Sequence, residues 1–324
     1  MTTSTPPKHR LPLIALGSAL TVTAAWLLYP VIFPNSSPIA SPAEKNSRPL
    51  NTSFMLPPAP ASATAEPIRL EIQSAIDPKT PSLQRTELIQ TLPETLSEAE
   101  YRILLREVIT PPSPGTPEAW HSSHIHEICK LLQRIPDCHD LLADTLATVA
   151  ASRGFSEVYR DYAFQHLRVL WRNSLDPSVP GVAQPRNLAI EATFRKLLTD
   201  RPETAAQAIL GLHELRHEDA TPAVPDEEIN RLATDILAAH TQSAPAHLPC
   251  RMTAIRIMAE RKLPAAGETL RTIASSSQEH MLVRISAIGA LGHTAAPADL
   301  DFLRALAPDH PMIAEALKHA LKSL

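Results

Sequence analysis

Glycine is almost missing, with 8 residues in a chain of 324. Loops that cradle a nucleotide phosphate need glycine for close backbone approach, and neither a G-x-G-x-x-G pattern nor a P-loop is present. Aromatic residues are also few, at 4% against 44% hydrophobic residues in all. A core built under that restriction relies on Leu, Ile, Val and Ala, which suits helix-on-helix packing. Only three cysteines occur, and none falls in a C-x-x-C or C-x-x-C-H motif. H-E-x-x-H is missing as well. The net charge of -4 is mild and gives no case for nucleic acid. No alternating run is long enough for a confident strand. No Ser-His-Asp, Cys-His or paired-carboxylate arrangement follows from the spacing, so neither a catalytic residue nor a cofactor is assigned.

Proline, in contrast, reaches 32 residues, and its placement explains how so much of it coexists with helices. Pro202, Pro225, Pro264, Pro297 and Pro311 recur where helical periodicity begins, so they mark turns and spare helix interiors. From Ile68 onward, apolar residues recur at helical spacing. Helices are expected near 68–76, 82–92, 96–109, 118–134, 138–152, 155–173, 186–199, 202–216, 225–240, 248–261, 264–276, 279–292, 296–306 and 310–323. Ser97 with Glu100 fits a capping box, and Asp200 with Glu203 has the same spacing. Thr116 before Pro117 reads as a cap, and Asp137 reads as the cap of the helix that follows. The segments 110–117 and 174–185 read as long Pro-rich loops.

Arg251 to Ala274 repeats 33 residues later as Arg284 to Ala307 without a gap. The pairs Arg251/Arg284, Ala254/Ala287, Ile255/Ile288, Pro264/Pro297, Ala265/Ala298, Leu270/Leu303, Arg271/Arg304 and Ala274/Ala307 are identical. A period near 33 carrying two short amphipathic helices marks a stacked array of helical hairpins. One such unit buries too little apolar surface to offset about 1–2 kcal/mol of backbone ordering per residue, so neighbours must cover its remaining face.

Val283-Arg284-Ile285-Ser286-Ala287-Ile288-Gly289-Ala290-Leu291-Gly292 resembles the second helix of HEAT-like repeats of the short, phycobilisome-lyase type. Cys250 to Met258 is a looser copy, and Ile313 to Leu321 reads as a closing half-repeat. Tyr159 to Leu167 and Ile190 to Leu215 are similar in style. The match is good over 248–324, moderate over 155–216 and weak before 150. The resemblance implies an all-α fold, a right-handed α-solenoid of about seven hairpins over 68–324. It implies a binding surface or scaffold. Bilin-lyase activity is not carried over, because the motif specifies architecture alone.

The N-terminus has its own signal. Lys8, His9 and Arg10 precede Leu11 to Phe33, a stretch without charge. At about 1.5 Å per residue it spans roughly 35 Å, enough for a bilayer core of about 30 Å. Trp26 and Tyr29 lie where interfacial aromatics belong, and the basic residues keep 1–10 in the cytoplasm and the remainder outside it. The alternative is secretion after cleavage of this segment, for which Ser41-Pro42-Ala43 is a weak site. Residues 34–67 are rich in Pro, Ser and Ala and read as a disordered or polyproline-like tether, about 100 Å long when extended. Asn35-Ser36-Ser37 and Asn51-Thr52-Ser53 fit the glycosylation pattern. Abundant Pro and Ala with few Lys fit a bacterial envelope protein. The lipid bilayer, through 11–33, and an unidentified protein are the expected partners.

Three groups of residues are candidate sites. His121, His124, His126, Cys129, Cys138 and His139 are metal-ligand types in one short segment. At helical spacing His121 and His124 form one pair, His126 and Cys129 another, and the two pairs point to different faces. The bland reading is solvated or partly packed histidines. The sharper one is a metal- or cofactor-handling protein built on 121–139. Cys129 and Cys138 flank a hairpin turn and are a candidate disulfide outside the cytoplasm. Phe155, Tyr159, Tyr162, Phe164 and Trp171 crowd one helix, which reads either as core or as an aromatic groove. In the groove reading Arg160, Phe164, Arg168, Trp171 and Arg172 form a protein-binding surface. Arg251, Arg284, Arg271 and Arg304 recur in register, as caps or inter-repeat pairs more readily than as a basic ladder.

Overall fold

A computed structural model describes residues 67–112, 115–175, 183–200, 202–239, 248–263 and 265–322. The expected anchor 11–33, tether 34–67 up to its last residue, glycosylation triplets, and parts of both long loops lie outside the described residues. So does Arg201, within the Asp200–Glu203 turn.

Fourteen α-helices form among the described residues, with no β-strand. They are α1 Leu70–Ile76, α2 Ser82–Thr91, α3 Glu98–Val108, α4 Glu118–Leu132, α5 His139–Ala151, α6 Glu157–Asn173, α7 Ala183–Asp200, α8 Ala205–Glu214, α9 Asp226–Ala239, α10 Leu248–Glu260, α11 Ala266–Ser275, α12 Met281–Thr294, α13 Pro297–Ala305 and α14 Pro311–Lys322. Short 3-10 turns, Pro136–Cys138 and Pro202–Thr204, lead into α5 and α8. The fold is all-α, and each expected helix is present within a few residues.

The starts follow from side chains that satisfy orphan N–H groups. The capping box forms: Glu100 N–H donates to Ser97 Oγ at 3.4 Å, and Ser97 N–H donates to Glu100 Oε2 at 3.0 Å. Ser156 accepts from Tyr159 N–H at 3.2 Å and starts α6. Two expected caps differ. Pro117 itself occupies the position before α4, so Thr116 caps nothing. Asp137 sits inside the 3-10 turn, leaving Cys138 before α5 with no side-chain cap.

Helix contacts stay local in sequence. Each helix packs on the next one along the pairs α1/α2, α3/α4, α5/α6, α7/α8, α9/α10, α11/α12 and α13/α14. The even-numbered helices also contact one another in unbroken order from α2 to α14. The odd-numbered ones do so from α1 to α7 and from α9 to α13. No contact of that extent joins α7 to α9. Arg195 crosses there, held by Glu191 on its own helix and by Glu228 of α9.

Small residues set the spacing inside the even row. A Cβ on Gly292 of α12 would lie 2.8 Å from Ala320 Cβ and 3.0 Å from its Cα, so α12 and α14 approach through that glycine. Between the rows, Gly211 of α8 lets the Phe194 ring of α7 approach in the same way. The core is mainly aliphatic, in line with the composition, with Phe164 and Phe194 its largest fully buried side chains.

Buried arginines join successive pairs. Arg284 Nε donates to the Ala274 carbonyl at 3.2 Å, and its two terminal nitrogens hold Asp309 at 2.9 and 3.0 Å. Arg251, at the same place in the repeat, grips Glu279 through both terminal nitrogens. Arg85 does the same work near the start of the array: its Nε donates to the carbonyl of Ala75 at 2.7 Å, and it pairs with Glu107. The spacing from carbonyl to arginine is ten residues in both Ala75/Arg85 and Ala274/Arg284. Arg271 pairs with Asp299, and Arg304 with Asp301 at the surface. These side chains are inter-repeat and local ties rather than a free basic ladder.

Candidate functional site

The histidine-rich segment folds as α4, and its two faces meet different surroundings. His121, Ser122 and His124 are buried. His121 lies against the Tyr159 ring, with centroids 5.6 Å apart, and Tyr159 donates its hydroxyl to the Val108 carbonyl. His121 Nε2, Ser122 Oγ and both ring nitrogens of His124 are buried without a hydrogen-bond partner. Burial, reinforced by the nearby Arg85 guanidinium, lowers the pKa of His121 and takes His124 down to about 3.

The opposite face carries His126, which reaches across to α6. His126 Nδ1 lies 3.1 Å from His166 Nε2, and the rings sit 4.9 Å apart. Gln133, at the end of α4, places its amide nitrogen 2.9 Å from His166 Nδ1 and 3.2 Å from the His166 carbonyl. The Gln133 carbonyl in turn lies 2.9 Å from His139 Nε2. Burial lowers the pKa of His126 and His139, and takes that of His166 to about 3, with His126 adding to the effect. A small crevice beside this chain is lined by Val108, Cys129, Leu146, Tyr159, Tyr162 and Ala163, among others. It has room for about one water molecule.

The six candidate metal ligands are therefore not brought together. His121 and His124 face one side and His126 the other, His139 bonds a backbone carbonyl, and Cys129 and Cys138 are buried free thiols. Among the described residues no three His, Cys, Asp or Glu side chains converge as a metal site requires. The expected disulfide is not formed either. The Cys138 thiol donates back to the carbonyls of Leu132 and Ile135, at 3.3 and 3.2 Å, and so is engaged by its own turn. Burial pushes the Cys138 thiol up to about 12 and raises that of Cys129 as well.

The aromatic-groove reading of α6 is corrected by burial. Phe164 is wholly buried and stacks on Phe194 with centroids 5.7 Å apart. Trp171 is buried, its indole N–H donating to the Arg216 carbonyl at 2.7 Å. Arg160 and Arg168 turn to Glu203 and Glu214, at 3.6 and 3.0 Å. Arg172 alone of the five is exposed. A helix flanked by four neighbours is covered on two sides, and that count of neighbours is what one helix's sequence does not carry.

Two features went unread in the sequence. His166 lies 40 residues from His126, so no local spacing could pair them. Asp161, on α6, has its pKa raised to about 6 by burial and by the nearby Glu157 carboxylate. The exposed large apolar side chains among the described residues are Leu70, Leu83, Trp120, Val158, Leu188 and Met252, of which Leu83, Trp120 and Val158 lie in the first turns of α2, α4 and α6, with Trp120 51% exposed.

No protein-family model matches the chain, and no curated protein matches it. Among solved structures the chain is similar to human deoxyhypusine hydroxylase in complex with glycerol, at 17% identity, covering 78% of this chain and 93% of that one with a TM-score of 0.28. A likeness that low carries no argument about this chain's site or activity. Among the described residues no helix is long and apolar enough to cross a membrane.

Proposed function

We propose that this chain is a membrane-anchored scaffold: a right-handed, HEAT-like α-solenoid of seven hairpins, held outside the cytoplasm by the segment 11–33 and the tether 34–67, that binds another protein. The observation that carries the reading is the locality of packing. Each helix contacts its near neighbours in sequence, in an even and an odd row, as a stacked array requires. The shared Ala-to-Arg tie in α1/α2 and α11/α12 supports one repeat type from end to end. The uncharged run after Lys8, His9 and Arg10 supports the anchor and its direction.

The contact residues are Leu83, Trp120 and Val158, in the first turns of three successive even-numbered helices. A half-exposed tryptophan is the residue type that dominates binding energy at interfaces. Cross-linking in intact membranes, with mass spectrometry of the purified adduct, tests the proposal. One protein recovered in comparable amount, and lost from a folded Trp120→Ala, Val158→Ala variant, is the expected result. A folded and correctly placed chain that yields no protein adduct overturns it.

A further inference from the structure

The hydrogen bonds around His166 fix where its protons are. The Gln133 side chain faces the His166 carbonyl at 3.2 Å and His166 Nδ1 at 2.9 Å. A carbonyl oxygen accepts and cannot donate, so the group facing it is the amide NH2. The same NH2 donates its second hydrogen to Nδ1, which must accept. A neutral imidazole carries one proton, so that of His166 is on Nε2 and is donated to His126 Nδ1, 3.1 Å away. The direction is Gln133 to His166 to His126.

A second proton has no place in this chain. On His126 the one unprotonated nitrogen is Nδ1, which already accepts from His166. On His166 it is Nδ1, which already accepts from Gln133. Either protonation sets N–H against N–H and breaks a bond between α4 and α6. We propose that Gln133, His166 and His126 form an acid-released latch: neutral rings hold α4 against α6, and protonation parts the two helices at the crevice lined by Cys129, Tyr159 and Tyr162.

The surroundings are consistent with a latch rather than a permanent ion pair. On α4, Glu127 favours a proton on His126 and Lys130 opposes one, and these two are paired with each other at 3.0 Å. Lys130 also opposes a proton on His166. From α6, the Tyr159 and Tyr162 phenols face the crevice; α3 and α5 line it with Val108, Leu146 and Val149. Arg85 of α2 lies near His121 and His124. His139 of α5 is bonded to Gln133, Arg186 of α7 turns to Asp140, and Glu214 of α8 holds Arg168. Among the described residues no carboxylate is bonded to or paired with His166 to keep a charged ring closed.

The test uses the full chain and Cys129, which lines the crevice. Labelling by 4,4′-dithiodipyridine, which reacts at acid pH, is followed residue by residue by mass spectrometry at pH 7.5 and 5.5. Cys250, buried in α10, serves as the reference. A ring freed by opening has a pKa near 6.5, so each freed ring raises the open population about tenfold between those pH values. The open fraction at Cys129 is expected to rise about a hundredfold in the natural chain. In His126→Gln, which keeps an acceptor but does not titrate, the expected rise is about tenfold. Equal rises in the two proteins, or a parallel rise at Cys250, overturn the proposal. A second measurement needs no variant: deuterium exchange at the histidine C2 position reads each ring's titration directly. His126 and His166 are expected to titrate below the ordinary imidazole value near 6.5, and an ordinary titration at His126 also overturns the latch.

Discussion

His124 offers the sharpest test of how this array tolerates polarity in its core. Its side chain is 3% exposed, and neither ring nitrogen has a partner. An unsatisfied buried polar group costs about 1–3 kcal/mol, whereas an apolar group of similar volume costs nothing of that kind. His124→Leu is therefore expected to stabilise the fold by about 2 kcal/mol at pH 7.5. The gain grows in acid. His124 titrates at about 3 when folded and near 6.5 when unfolded. Between those values the unfolded chain binds more protons, so the stability of the natural protein falls as pH drops below about 6.5. The slope is about 1.4 kcal/mol per pH unit, which adds about 2 kcal/mol by pH 5.0. The leucine variant lacks this loss, so its advantage is expected to reach about 4 kcal/mol at pH 5.0. Urea denaturation followed by circular dichroism at both pH values measures it. A variant no more stable than the natural chain at pH 7.5 would show that the ring nitrogens are satisfied. An advantage unchanged at pH 5.0 would refute the depressed titration.

Asp161 runs with the opposite sign. Its folded pKa of about 6 exceeds that of the unfolded chain, so its penalty appears as pH rises through 4 to 6; Asp161→Asn is expected to stabilise by about 1–3 kcal/mol at pH 7.5 and not at pH 4, by the same denaturation assay. Gly292→Ala is expected to destabilise by about 1–3 kcal/mol because the Ala320 backbone blocks the added methyl. Gly289→Ala, on the same helix with open space around it, is expected to stabilise by up to about 1 kcal/mol, and thermal unfolding of the pair separates packing from propensity. Arg251→Ala strands the half-buried Glu279 and is expected to cost about 3 kcal/mol, while Arg304→Ala, exposed and paired within its own helix, is expected to leave the melting temperature unchanged.

The helices were legible because each carries its cause locally. A cap such as Ser97 with Glu100, a proline at the turn and a 3.6-residue apolar period all lie within a dozen residues, and none depends on what packs outside. Register between helices is different. Phe164 and Trp171 have the composition of a binding groove, and only the arrival of α7 and α8 turns them into core. Cys129 and Cys138 flank the right kind of turn, yet the 3-10 geometry at Pro136 aims the Cys138 thiol at its own carbonyls. The polar chain from Gln133 through His166 to His126 spans two hairpins, so a single sequence shows its members without their pairing.

One signal was present and weak. The 33-residue repeat is plain from Arg251 onward and fades before residue 150, yet one of its ties recurs near residue 80. Ala75 and Arg85 stand at the same ten-residue separation as Ala274 and Arg284, and they make the same bond. At both places an arginine joins the end of one helix to the next pair, while the residues around it differ. A buried arginine whose guanidinium spans a carbonyl and a carboxylate resists replacement, because lysine lacks the second arm and an apolar residue strands the acid. Aliphatic core positions accept one another at small cost. The even row keeps its contacts from α2 to α14 on that basis, and the one place where the odd row loses them, between α7 and α9, is again spanned by an arginine, Arg195, between two glutamates.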